Sequence, residues 1–195
     1  MKSSGLTSVI LILVCSLYGY YANAQMVREI KKPQLAIETK AIGYITIDAT
    51  KQGKFKGNVQ GGQKSEIIDF RYSLSQPFDQ ASGQATGKIN HGSLIVTMKN
   101  GPSTPQVLQA LSTNETLKSV LIEFNRTQPD GTSFIYYTVK LINAHITRVN
   151  QSAYREEQAA NQGGLPFDEI SFVFQKIEIE QKDGNTMTVI DAGNF

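Results

Sequence analysis

The amino-acid sequence predicts a mainly β protein, an antiparallel β-barrel with strongly bent strands and one short α-helix (about residues 104–113) flanking the barrel. Three observations predict it. From Ile37 onward apolar and polar residues alternate in steps of two, the period of a strand with one buried face. Turn residues separate these runs, among them Pro129-Asp130-Gly131 and Lys182-Asp183-Gly184-Asn185, where Asp-Gly supplies the positive φ of a tight hairpin. Two long runs also change phase midway: Ile135, Tyr137, Val139 and Leu141 hand over to Ile142, Ala144 and Ile146, and Ile170, Phe172 and Phe174 hand over to Ile177 and Ile179. A one-residue slip turns every later side chain to the other face, so each slip predicts a bulge or a change of sheet, as a curved barrel requires.

The elements follow in chain order. Residues 1–24 read as a signal peptide: Lys2 gives a minimal basic start, Leu6 to Tyr21 an apolar core, and Ala22-Asn23-Ala24 a small-x-small cleavage site before Gln25. An uncleaved anchor and a true start at Met26 are the alternatives. Cys15 lies in the apolar core behind Val14, where a lipid-attachment cysteine would want a small residue. With the leader gone no cysteine remains, which excludes a disulfide framework, a thiol nucleophile and a thiolate metal site. Residues 25–35 are polar and basic with Pro33 and read as a flexible arm; residues 36–195 are one domain, within the usual size of roughly 100 to 200 residues.

Strands are predicted at Ala36 to Ala49, Glu66 to Ser75, Lys88 to Lys99, Leu117 to Thr127, Ser133 to Asn150, Asp168 to Gln181 and Thr186 to Ile190. In the second of these, Ile68, Phe70, Tyr72 and Leu74 share one face, and Asp69, Arg71 and Ser73 the other. The helix lies in Gly101 to Phe124: Thr104 is the expected N-cap, Pro105 suits the first helical position, and Val107, Leu108 and Leu111 make an apolar stripe. Two turns of helix do not hold together alone in water, so this stripe must be buried by tertiary contact.

Formal net charge is +2, and loss of the leader removes only Lys2 among charged residues, leaving +1. No basic stripe interleaved with aromatics is present, which argues against nucleic acid as a partner. The two histidines, His91 and His145, are not in metal-binding spacing, and no G-x-S-x-G, Walker or dinucleotide motif occurs. Gly83 to Lys88, "GQATGK", falls short of a phosphate loop, with Ile89 where the hydroxyl should stand. No catalytic, cofactor or metal residue is assigned; a secreted hydrolase remains the remote alternative.

An ordered set of segments carries a resemblance. "MKNGPSTPQVLQALSTNETLKSVLIEFNRTQPDGTSFIYYTVKLINAHITRV" and, after a loop, "FDEISFVFQKIEIEQKDGNTMTV" resemble the Hcp family, the haemolysin-coregulated tube proteins of type VI secretion. The matching positions are Lys99, Ser103, Pro105, Arg126, Gly131, Glu169, Ile170, Phe172, Phe174 and Ile177. Upstream, Tyr44 to Asp48, Ser65 to Gln76 and Ala85 to Lys99 continue the similarity, which runs from Tyr44 to Val189. The resemblance implies a homohexameric ring, rings stacked into a hollow conduit, small effector proteins carried and chaperoned in the lumen, and sheath and spike proteins as further partners. It implies no bond-making chemistry and no cofactor.

Two loops are candidate contacts. Pro77 to Gly92 matches the family's extended loop, and the ring contacts are expected at Gln76, Pro77, Phe78, Asp79 and Gln80, with Phe78 either anchoring in a neighbour or folding back on its own barrel. Gln151 to Pro166 reads as a solvated loop. The leader complicates the tube: a secretory substrate crosses the membrane unfolded, whereas a sheathed tube assembles in the cytoplasm. Either the start is Met26 and the protein is cytoplasmic before firing, or it is an exported Hcp-like binding or assembly module, secreted or periplasmic and free of the membrane after cleavage, or an uncleaved anchor tethers the barrel to the membrane.

Overall fold

The computed structural model describes residues 41–59, 62–152 and 166–193. The predicted leader, the predicted arm and most of the loop from Gln151 to Pro166 lie outside the described residues.

Three long strands and three shorter ones build the core. They are β1 (Gly43–Ala49), β3 (Ser65–Arg71), β8 (Leu94–Lys99), β9 (Leu117–Thr127), β10 (Ser133–Ser152) and β11 (Phe167–Gln181). All pairings are antiparallel, and they run β10-β9-β1-β3-β8-β11 and back to β10, a closed circuit of six strands. Closure removes the unpaired edges that an open sheet would carry. The two-residue β2 (Gly53–Lys54) folds back on the end of β1, and β12 (Thr186–Asp191) pairs with the second half of β11. Between β3 and β8 the chain leaves the circuit as four two-residue strands, β4 (Leu74–Ser75), β5 (Phe78–Asp79), β6 (Gln84–Ala85) and β7 (Asn90–His91), paired β4 with β7 and β5 with β6.

The inward residues are those the alternation marks. Ile45, Ile47, Val96, Met98, Val120, Ile122, Val139, Leu141, Ile170 and Phe172 are all buried in one apolar cluster. The phase slips lie where the sequence places them. Leu141 and Ala144 are both buried, as are Phe174 and Ile177, so each strand spends two residues between inward positions. Register holds through the bend, with Ile142 opposite Lys176 and Ala144 opposite Phe174. Asn143 takes a φ of 50°, the left-handed region that asparagine tolerates better than most residues. Its amide donates to Gln175 Oε1 at 2.7 Å, tying the two strands at the bend. Ile142 is itself only half-buried, so the inward series resumes at Ala144 rather than at Ile142.

One strand differs from expectation. In β3 it is Ile67 that is fully buried, not Ile68, and a bulge between Ile67 and Asp69 then turns Phe70 inward against Phe124, ring centroids 5.2 Å apart. A bulge resets the alternation, so a face read from one end of the strand fails at the other. Leu74, expected on that same face, has left the barrel and is 45 % exposed.

The helix α1 (Thr104–Ser112) packs on β10. Its cap differs from the sequence reading: Ser103 is the N-cap, and Thr104 lies one residue inside. The Thr104 hydroxyl accepts from the Gly101 N–H at 3.2 Å and donates to the fully buried Asp168, which also accepts from Gln151 Nε2 at 3.0 Å. A carboxylate beside the first turn of a helix is favoured by the partial positive charge there. The stripe is corrected at one position. Val107 and Ala110 are buried and Leu111 is partly buried against the core, whereas Leu108 is 39 % exposed. An i, i+3 step keeps Val107 and Ala110 on one face, while Leu108 is rotated about 100° from Val107.

Past the helix, the buried Glu115 accepts from the backbone N–H groups of Lys51 and Gln52, the latter at 2.9 Å, and from Gln52 Nε2 at 3.0 Å. Burial raises its pKa, but these donors outweigh that and hold the carboxyl below its ordinary range. One side chain thus fixes the β1–β2 turn to the end of α1.

Candidate assembly surface

The segment from Ser73 to Gly92 projects from the closed circuit as an arm. Its root is built from side chains rather than from a long ladder. The Tyr72 hydroxyl and His91 Nδ1 are hydrogen-bonded at 2.8 Å, and both rings pack on Phe174 with centroids 5.9 Å away. Burial at this root pushes the Tyr72 phenol up from its ordinary value. The Gly92 N–H donates to the Ser73 carbonyl at 3.0 Å, and a Cβ on Gly92 would come within 2.1 Å of Ser73 Oγ. A larger residue here would have to turn the Ser73 hydroxyl aside, so the two strands of the arm converge closely at this point.

At the far end Asp79 organises the tip. Its carboxylate accepts from the backbone N–H of Ala81 at 3.1 Å and from the Ser82 hydroxyl at 2.6 Å, and Gly83 turns the chain with a φ of 69°. The Ser82 hydroxyl, then the Ala81 amide, lower the Asp79 pKa. Asp79 is therefore engaged within the arm, an Asx turn of the usual kind.

Of the five expected contact residues, Gln76, Pro77, Phe78 and Gln80 are exposed and Asp79 is half-exposed. Phe78 does not fold back on the barrel: it is 61 % exposed. Leu74 and Ile89, at 45 % and 44 %, are also large apolar side chains turned to solvent on the arm. The sequence reading missed both, because alternation alone assigned Leu74 to the core and gave Ile89 no partner. A second exposed pair, Met187 and Val189, sits on β12, which among the described residues pairs with β11 alone.

Elsewhere the described outer wall carries ion pairs. Lys64 meets Glu123 at 2.5 Å, Lys99 meets Glu66 at 2.7 Å, Lys140 meets Glu178 at 3.1 Å, and Arg71 pairs with Glu169. Glu169 is held below its ordinary pKa by the Asn150 amide first and by Arg71 next. His145 lies half-buried within 3.4 Å of the Thr116 hydroxyl. Among the described residues no group of three or more His, Cys, Asp or Glu is placed to hold a metal ion.

The class defined by this geometry is a six-stranded closed antiparallel barrel with one flanking helix and a projecting arm, its distinctive features lying on its surface. The family model described as "Type VI secretion system effector, Hcp" matches residues 44–181, and the chain belongs to that family, as a protein of the type VI secretion tube type. It is 29 % identical over 146 residues to the "Major exported protein" of Pseudomonas aeruginosa, covering 69 % of this chain and 85 % of that one. Solved structures agree on the fold. A crystal structure of an Hcp protein superposes with a TM-score of 0.69 at 22 % identity, covering 76 % of this chain and 98 % of the other. The Hcp1 protein of E. coli EAEC 042 gives 0.66 at 21 %, covering 78 % and 99 %. The secreted protein Hcp3 of Pseudomonas aeruginosa gives 0.60 at 22 %, covering 78 % and 98 %.

Proposed function

We propose that this protein is the repeating unit of a type VI secretion conduit: six copies close into a ring, rings stack, and the hollow centre carries small effector proteins outward. Family membership supports the conduit role. The observation that carries the assembly reading is the arm, which has a firmly built root and a fixed tip yet turns Leu74, Phe78 and Ile89 to solvent. Apolar side chains on an ordered projection are what an interface needs, since a few large anchors supply most of the binding free energy. A ring is a heterologous assembly, so the arm and the surface receiving it are different patches of one chain.

Native mass spectrometry and negative-stain imaging test this reading. Hexamers and stacked rings are expected, with Phe78→Ala lowering the stability of the assembly. A strict monomer at high concentration overturns the conduit reading. A hexamer whose stability is unchanged by Phe78→Ala removes only the anchor.

The signal-peptide-like leader favours a second reading, an exported member of the family working outside a sheathed tube. The Pseudomonas aeruginosa relative is named as an exported protein, and export of this chain with cleavage after Ala24 is proposed by the same logic. Mass-spectrometric sequencing of the mature N-terminus separates the two readings: Gln25 as first residue favours export by the leader, Met26 favours assembly inside the cell. No reaction is assigned to the chain under either reading.

A further inference from the structure

The large apolar side chains exposed among the described residues are not spread evenly. Leu74, Phe78 and Ile89 lie on the arm, Met187 and Val189 on β12, and Ile42 and Leu108 stand singly. A heterologous contact joins two unlike patches of one chain. The arm is one patch, and β12 is the only other described element that presents two such side chains.

The open side of β12 also suits a partner. The strand keeps unbroken register with β11 from Thr186 to Asp191, and no described strand pairs with its other side. Edges left to solvent are usually blunted by lysine, proline or a bulge. β12 has none of these: it reads Thr-Met-Thr-Val-Ile-Asp, with its one charge at the last position. Such an edge offers main-chain donors and acceptors to an arriving extended segment.

Beside Met187 the outer surface sinks into a depression of about 290 Å³. Leu121 and Met187 give it apolar surface. Its acids are already engaged: Glu178 with Lys140, Glu180 with the Thr138 hydroxyl at 3.3 Å, and Glu123 with Lys64. Lys182, also in the lining, has no ion pair among the described residues. An apolar cavity of about 150 Å³ is enough to hold a benzene ring, so the volume admits a phenyl side chain.

We propose that the arm of one copy docks on β12 of the next, with Phe78 seated in this depression and the Asp79 carboxylate beside Lys182. The inference rests on the ring reading and names the surface that receives the arm. The seat covers Met187, Val189 and the open side of β12 in one event. The hydrogen bonds from Ser82 and Ala81 that lower the Asp79 pKa keep its carboxylate charged for this contact. Within one copy the two patches are neighbours: Gln76, Lys88, Ile89 and His91 of the arm line one groove with Ile190 and Asp191 at the end of β12. An arm arriving along β12 thus meets the base of the resident arm, where Ile89 is exposed.

Thiol cross-linking tests this in the full chain, where Cys15→Ser removes the sole cysteine. In that background Gln80→Cys with Thr186→Cys, treated with a short flexible bis-maleimide, is expected to give a ladder of covalent oligomers ending at the ring. Gln80→Cys with Thr188→Cys is expected to do the same, and serves if the first pair fails to fold. Adding Phe78→Ala is expected to reduce the ladder several-fold. Neither single variant, nor Gln80→Cys with Leu108→Cys on the exposed side of α1, is expected to give one. Assembled rings without a ladder from either β12 pair overturn the inference and leave the ring reading standing. Covalent dimers from Gln80→Cys alone, which would join arm to arm, or an equal ladder with Leu108→Cys, also overturn it. A strict monomer overturns both.

Discussion

The closed circuit and the arm are made from the same chain under opposite rules. In the circuit, each strand turns its apolar side chains inward until they are fully covered, as at Val96, Ile122, Leu141 and Ile177. In the arm the paired strands are two residues long, the order comes from side-chain hydrogen bonds and glycines, and the large apolar residues face water. The difference teaches where to look for function. Burial explains nearly every apolar residue of the barrel, so the apolar residues it leaves unexplained are the informative ones.

The sharpest way to break the comparison is to put the same charge into each region. Val107→Asp places an unpaired carboxylate at a site with no exposure, and a loss of about 4 kcal/mol or more is expected, read as insoluble or unfolded protein. Phe78→Asp is expected to leave each copy folded, with an unchanged far-UV spectrum, because the side chain is 61 % exposed. If both unfold, the arm belongs to the core and the distinction fails.

A middle-sized effect sharpens it. Glu115→Gln weakens the carboxylate that holds Lys51 and Gln52, at an expected cost of about 1–3 kcal/mol in chemical denaturation. The pH dependence has a definite sign. The Glu115 pKa is lower in the folded protein than its ordinary 4.5, so its stabilisation is fully present above that value and is lost as pH falls below it. Glu115→Gln is therefore expected to flatten the acid limb of the stability profile. A variant with an unchanged acid limb would show that other carboxylates control it.

The smallest effect is on the helix. Leu108→Asp, on the exposed side of α1, is expected to fold with a loss below about 1 kcal/mol. Its contrast with Val107→Asp, one residue away, reads out which face of the helix is covered.

Much of the barrel was legible because a period of two is a direct signature of one-sided burial. β9 was placed to the residue, and the bends in β10 and β11 were visible as phase slips. The bulge at Ile67 to Asp69 was not: an inserted residue between Ile67 and Phe70 leaves a stretch that still reads as smooth alternation beginning at Ile68. The helix was legible as a helix, but its inward face was one residue out, since Val107, Leu108 and Leu111 fit a stripe as well as Val107 and Ala110 do. Alanine carries too weak a hydrophobic signal to be chosen over leucine. The arm was legible as a loop with an isolated phenylalanine. Its architecture was not, because Tyr72, His91 and Phe174 converge from three separate segments and no local pattern links them.

β11 runs from Phe167 to Gln181, and β8 can accompany it only from Phe167 to Phe172. Beyond that point another neighbour is required, and β12 takes the place from Lys176 onward. The cylinder consequently overhangs itself, and the overhang finishes in a strand whose far side has no mate among the described residues. An isolated copy therefore carries a raw border, bearing Met187 and Val189, that a solitary barrel of equal length would lack.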